Sequence, residues 1–287
     1  MQKITFTNTN GLSVELGGAP FLLSKIEGLG DVEADIQTQK APYQDGSTHI
    51  QSLLTERFIP IEVTILGTNR NDISAKRELL SSVFNPKVKG VLKYENDRVT
   101  RWIDAVSEHV PTYPSGLDNR TNRFQKVIID LICPSPFWTT EEQVDQLVIW
   151  QGGLEFPLEL PTTFAEQSES KSKILINEGH VETPIRIAFE GPATAPIRVE
   201  NVTTGEFMEV NQDLSEGELL EINTAFGQKK VEKVSSVGVR SNAFHFVSLD
   251  STFFQLGVGN NLIDYSTGQE YESAGVTIAW RNRYLSV

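Results

Sequence analysis

At 287 residues, 39% hydrophobic and 22% charged, the chain can bury cores in about two domains of ~100–200 residues. That composition excludes a collagen-like, low-complexity or wholly disordered polypeptide, and no run approaches the ~18 consecutive apolar residues of a membrane helix. Charge is uneven: residues 1–134 carry 15 Lys+Arg against 16 Asp+Glu, residues 135–287 carry 10 against 22, and nearly all of the net −13 therefore lies in the second half. So few cations cannot displace the counterions of a duplex, which argues against sequence-specific nucleic-acid binding. The single cysteine, Cys133, excludes an intrachain disulfide. Met1–Phe6 shows no apolar signal core, and synthesis in a cytoplasm is the expectation.

Taken in chain order, most of the sequence reads as short strands. Ile4–Thr7 and Leu12–Leu16 alternate apolar and polar residues around a Thr9–Asn10–Gly11 hairpin turn. Gln44–Ser47 is a turn. Arg57–Leu66 alternates over ten residues, with Pro60 marking an edge or a bulge. The spacing of Ile73, Ala75, Leu79, Leu80, Val83 and Phe84 predicts one amphipathic helix over 72–84. Asn71 or Asp72 would cap it, and Asn85–Pro86 would stop it. Strands follow at Gly90–Tyr94, Thr100–Val106 and Phe124–Ile132, the last preceded by a Pro- and Asn-containing surface loop from Pro111 to Arg123.

Cys133–Pro134–Ser135–Pro136–Phe137–Trp138 is the best domain boundary, giving domains 1–134 and 135–287. Gly152–Ser172 reads as loop. Ile185–Phe189, Ile197–Glu200, Phe207–Val210, Leu219–Ile222 and Lys230–Val234 then alternate at turn-separated intervals of about ten residues, as in a β-sandwich. Val276–Trp280 reads as the terminal strand, and Gly257–Asn261 as a hairpin turn.

No catalytic set assembles from these residues, and no catalytic, cofactor-binding or metal site is expected. His49, His109, His180 and His245 lie too far apart in sequence for metal-ligand spacing. Cys133 reads as a buried small hydrophobe. Glycosidase-type chemistry through a pair such as Glu141 and Glu142 would need a carboxylate separation that sequence does not fix. Trp138, Trp150, Phe244, Phe246, Phe253, Phe254 and Trp280 read as sandwich core, with a sugar-stacking platform as the alternative.

Several segments together resemble the distal tail proteins of long, non-contractile-tailed phages that infect Gram-positive bacteria. They are Gln44–Ser47 with Leu53–Arg57, the helix end Leu79–Lys87, the Pro–aromatic junction 133–138, Asn177–Ile187, Ile197–Gly205, and the closing Trp280–Val287. The resemblance implies an N-terminal β-sandwich or split barrel with one helix and a C-terminal galectin-like β-sandwich. It implies a non-enzymatic structural protein of the virion tail tip or baseplate, assembled in the host cytoplasm. Six copies would form a ring joining the tail tube protein to the tail-associated adhesion or lysin protein, with a channel that DNA traverses; no cofactor and no membrane are involved. The stretch Ala34–Ser47 and the loop Pro111–Arg123 are candidates for intersubunit arms or for free surface hairpins. The alternative function is a carbohydrate-binding module for host cell-wall polysaccharide, with polar and aromatic groups around Asn242–Phe246.

Overall fold

A computed structural model describes residues 2–147, 150–151, 166–167, 172–268 and 275–287. The chain divides into two compact units, the first formed by residues 1–140 together with 284–287, the second by 141–283. The first contains β1 (Lys3–Asn8), β2 (Ser13–Leu16), β3 (Phe21–Ile26), β4 (Ala34–Gln39), β5 (Thr48–Leu54), β6 (Arg57–Leu66), α1 (Arg70–Val83), β7 (Gly90–Glu95), β8 (Thr100–Ser107), β9 (Phe124–Cys133) and β10 (Trp138–Thr139). The second contains β11 (Gln143–Leu147), β12 (Trp150–Gln151), β13 (Glu166–Gln167), β14 (Ser172–Asn177), β15 (Thr183–Glu190), β16 (Ile197–Asn201), β17 (Glu206–Val210), β18 (Leu219–Asn223), β19 (Lys230–Val234), β20 (Arg240–Asn242), β21 (Gln255–Leu256), β22 (Gly259–Ser266) and β23 (Val276–Trp280). A last short strand, β24 (Arg283–Tyr284), pairs with β10.

The first unit is a split barrel. Its strands run in the order β2-β1-β7-β8-β9-β6-β3, and the two outer strands meet through a tight turn bridged at Gly18 and Phe21. The split lies between β8 and β9, which pair only at Val106 with Ile132 and Ser107 with Leu131. Alternation in the sequence directs one side chain in two inward: Ile59, Ile61, Val63 and Ile65 of β6 are buried with Val127, Ile129, Leu131 and Cys133 of β9, as a period of two dictates. Pro60 does not mark an edge, because β6 is flanked by β9 and β3. Its carbonyl accepts from the Glu27 N–H on the β3 side, just past the last β3–β6 pair at Ile26 and Ile61. The missing N–H of Pro60 faces the same way, and the β9 ladder loses no donor.

Helix α1 packs on β1, β2 and β6 through Ile73, Leu80, Val83 and the following Phe84, whose ring stacks on Phe6 at 4.7 Å. The buried face is narrower than expected, since Ala75 and Leu79 are exposed. The helix begins two residues earlier than predicted, capped by Asn69 rather than Asn71 or Asp72. The Asn69 Oδ1 accepts from the Asp72 N–H at 3.0 Å, while the Asp72 carboxylate turns back to the Thr68 N–H at 2.8 Å.

The second unit is a β-sandwich. One sheet runs β11-β23-β15-β18-β19-β20, with β21 added to β15, and the other runs β14-β22-β16-β17. Ile185, Ile187, Phe189, Leu220, Ile222, Val276 and Ile278 of the first sheet meet Val199, Met208, Val210, Ile263 and Tyr265 of the second. Gly259 opens β22 rather than closing a turn, and the preceding bend is held by Asn261, whose amide bonds the Gly257 and Gly259 carbonyls. Most of the loop expected at 152–172 lies outside the described residues; of its described part, β13 pairs with β12, which precedes the loop, and Ser172 already begins β14.

The division between units differs from the expected one at 134/135 in two respects. Trp138 is fully buried in the first core and Thr139 pairs with Trp102 of β8, which carries the first unit to residue 140. Val276–Trp280 is not the terminal element, for residues 284–287 return to the first unit, where Tyr284 and Val287 pack against the core.

Candidate functional site

Strands β4 and β5 form a two-stranded ribbon separate from the barrel sheet. They pair from Ala34 with Leu54 out to Gln39 with Thr48, with a bulge that leaves Ile50 unpaired. Every strand residue of the ribbon except Leu54 is exposed, Ile36, Ile50 and Leu53 each by more than half. At its tip Tyr43 is fully exposed with φ +64°, a left-handed conformation that Asn or Gly would adopt with less strain. Among the described residues neither outer edge of the ribbon is paired. An isolated two-stranded hairpin is marginal in water, and unpaired edges are templates for another strand. Within 34–54 only Asp35, Lys40 and Asp45 are charged. The polar side chains instead bond one another: Gln51 Nε2 donates to Gln37 Oε1 at 2.9 Å, and His49 lies 2.8 Å from the Ser52 hydroxyl.

The second expected arm, Pro111–Arg123, is held down. The Tyr113 hydroxyl donates to the Arg77 carbonyl at 2.8 Å, the Arg77 guanidinium covers its ring at 4.3 Å, and Arg70 Nε reaches Asn122 at 2.7 Å. Gln125 Nε2 bonds the Pro114 carbonyl at 2.8 Å. The loop is fastened to α1 near both ends, and Leu117 at its crest is 91% exposed.

The titratable candidates are dispersed. His49 sits on the ribbon; His109 pairs with Asp130 at 3.0 Å; His245 packs against Phe246 in the 3-10 turn Phe244–Phe246. Cys133 is buried, and desolvation pushes its thiol up to about 12. Glu142 is engaged by Arg186. Among the described residues no group of three or more His, Cys, Asp and Glu stands close enough to hold a metal ion.

Among the described residues the aromatics of the alternative platform do not gather on one surface. Trp138 lies in the core of the first unit, Phe254 and Trp280 in the core of the second, and the Trp150 side chain is outside the described residues. Among the described members of that set, Phe244 and Phe253 stack on each other at 5.6 Å, and Phe244 is exposed.

A feature that sequence reading missed is Arg57. It is 1% exposed, and Nε, Nη1 and Nη2 donate to the carbonyls of Pro136, Gly28 and Leu285 at 2.8, 2.7 and 2.7 Å. It thereby ties the inter-unit junction and the C-terminal segment to the barrel. Gly28 is required there: its φ is +78°, and a Cβ would stand 1.9 Å from the Phe58 carbonyl oxygen.

Two family models match, one on each unit: the phage tail protein RIFT-related domain over residues 12–133, and the siphovirus-type tail component, C-terminal domain, over 178–284. The chain belongs to the siphophage distal tail family. In three dimensions this tail component is similar to the SPP1 Dit (gp 19.1) protein, described as a paradigm of hub adsorption apparatus in Gram-positive infecting phages, with a TM-score of 0.67 at 14% identity over 98% of both chains. It is also similar to a chain of the phage P2 baseplate in its activated conformation with Ca, with a TM-score of 0.54 at 10% identity over 97% of this chain and 98% of that one. No curated protein sequence matches. The chain is thus a component of the phage tail and its baseplate hub, and its barrel and sandwich are the two folds that the family resemblance implied.

Proposed function

We propose that six copies of this tail component close into a ring at the tail tip, non-enzymatic in role. The ring joins the tail tube protein to the tail-associated adhesion or lysin protein and leaves a channel for DNA. The observation that carries this reading is the ribbon 34–54, whose strands are exposed on both faces and have two edges unpaired among the described residues. A neighbouring copy supplies the strand and the apolar cover that Ile36, Ile50 and Leu53 lack, and repetition of that heterologous contact closes a ring. The near balance of charge in residues 1–134 supports a channel role, because a wall without excess cations lets a polyanion slide rather than hold it. Assembly takes place in the host cytoplasm, and the finished ring resides in the virion.

Native mass spectrometry with negative-stain microscopy tests this. The intact protein gives a hexamer and ring views. A variant in which residues 35–53 are replaced by a short Gly-Ser link keeps its circular dichroism and melting transition but runs as a monomer. An intact protein that stays monomeric at high concentration, or a ribbonless variant that still forms rings, overturns the proposal.

A further inference from the structure

On the outer face of the larger sheet of the second unit lies a trough of about 630 Å³, within the size range of small-ligand sites. Its floor is low because β15 and β23 present small side chains there: Ala188 faces Thr277 across the pair, and Ala279 faces Arg186. Its walls are long side chains locked by ion pairs. Arg240 holds Glu221 through both nitrogens, at 2.5 and 3.2 Å, and Glu232 at 2.9 Å, while Lys230 holds Glu232 at 2.8 Å. Across the floor, Arg186 is paired with Glu142. Each of the three lining cations is thus paired with a carboxylate, Glu142 being shared with Arg281 at 3.9 Å, within a half that carries 22 acidic against 10 basic residues.

We infer that this trough binds a neutral saccharide. An anion would meet the field of the acidic half without a free cation in the trough to receive it, and a cation would find every carboxylate already paired. A protein partner would need an aromatic or aliphatic anchor pocket, and the hydrophobic Ile187 and Ile222 beneath the trough are buried in the core. What the lining offers instead is fixed hydrogen-bonding capacity. The paired carboxylates and guanidinium keep unused lone pairs and N–H groups. Gln228 and Asn223 also line the trough, the Asn223 Oδ1 accepting from the Ala225 N–H. Neighbouring donors and acceptors held at fixed spacing suit vicinal hydroxyls, and a low floor of methyl groups suits the flat C–H face of a pyranose.

The experiment titrates the full chain, by calorimetry and ligand-observed NMR, with cellohexaose, maltohexaose and hexa-N-acetylchitohexaose, and with hexagalacturonate as the charged control. At least one neutral hexasaccharide binds saturably, hexagalacturonate does not, and Ala188→Trp, which fills the floor, and Asn223→Ala, which removes a wall donor, each weaken binding at least tenfold. Melting curves and native masses of both variants match those of the parent protein. No binding across the neutral panel, preference for hexagalacturonate, or binding unchanged in both variants overturns the inference. So does an Ala188→Trp protein that no longer forms the parent's oligomer, because the face would then be an assembly contact. Ring formation is read on the same samples, and the saccharide inference fails or stands independently of it.

Discussion

Arg57 spends a buried charge on three main-chain carbonyls and no carboxylate. Burial lowers its pKa from the ordinary guanidinium value, yet the group stays protonated and its planar fork satisfies three separate segments at once, as a lysine could not. Nothing in the local sequence Glu56-Arg57-Phe58 marks this role, because the partners stand 29, 79 and 228 residues away. His109 is a simpler case. Its Nδ1 lies 2.9 Å from the Val110 carbonyl and its Nε2 3.0 Å from Asp130. The bond to Val110 foremost, then the Asp130 charge, raises its pKa above the ordinary 6.5. The sign follows: a raised folded value means that the charged imidazole stabilises the fold below the free pKa, and that this contribution is lost as pH rises through the folded value. Because the side chain is 46% exposed, the gain is small, well under ~1 kcal/mol. An NMR titration of the His109 ring should place its midpoint above 6.5, and Asp130→Asn should lower it without abolishing the shift; a midpoint at or below 6.5 in the parent protein refutes this account.

Among the elements, those with strict alternation were readable: β6, β9, β15 and β16 fall within about two residues of expectation at each end, because a half-buried strand writes its burial into every second residue. The ribbon was only half readable. Thr48–Leu54 lacks alternation, for its side chains are exposed on both faces and no core selects between them. β14 and β11 escaped for a related reason, since Ile174 and Ile176 of β14 and Val144 of β11 are exposed apolar residues that blur the period. The helix was legible in its body but not at its start. The reading looked for the cap at the edge of the apolar run, whereas the cap is Asn69, four residues ahead of Ile73. Removing that bond by Asn69→Ala should cost about 1 kcal/mol, measured by urea unfolding, while Asn69→Ser should restore most of it. An unchanged midpoint in Asn69→Ala means that the Asp72–Thr68 contact alone fixes the helix start.

For the molecule as a whole, the charge step along the sequence foretold two units, but not that the first one is discontinuous. No pattern within Arg283–Val287 announces that these residues belong with residues 1–140. They do so because the Leu285 carbonyl accepts from Arg57, and because Tyr284 lies under the Arg101 guanidinium at 3.7 Å. Deleting residues 284–287 should therefore destabilise the N-terminal barrel rather than the unit to which they are joined in sequence. The cost is about 2–4 kcal/mol, from one charged hydrogen bond and one cation–π contact. Hydrogen exchange resolved by unit checks it, with faster exchange expected in β6, β8 and β10; acceleration confined to residues 141–283 would refute it.

The pairing of β10 with β24 also bears on how such proteins can diversify. The outgoing and returning chain cross between units on strands that lie side by side, roughly 5 Å apart at the spacing of any sheet. Everything between Thr140 and Tyr284 is in effect a cassette spliced into a host barrel, and any module whose own termini nearly meet can replace it. Recombination at these two seams would let a virus lineage exchange the second unit while keeping the first.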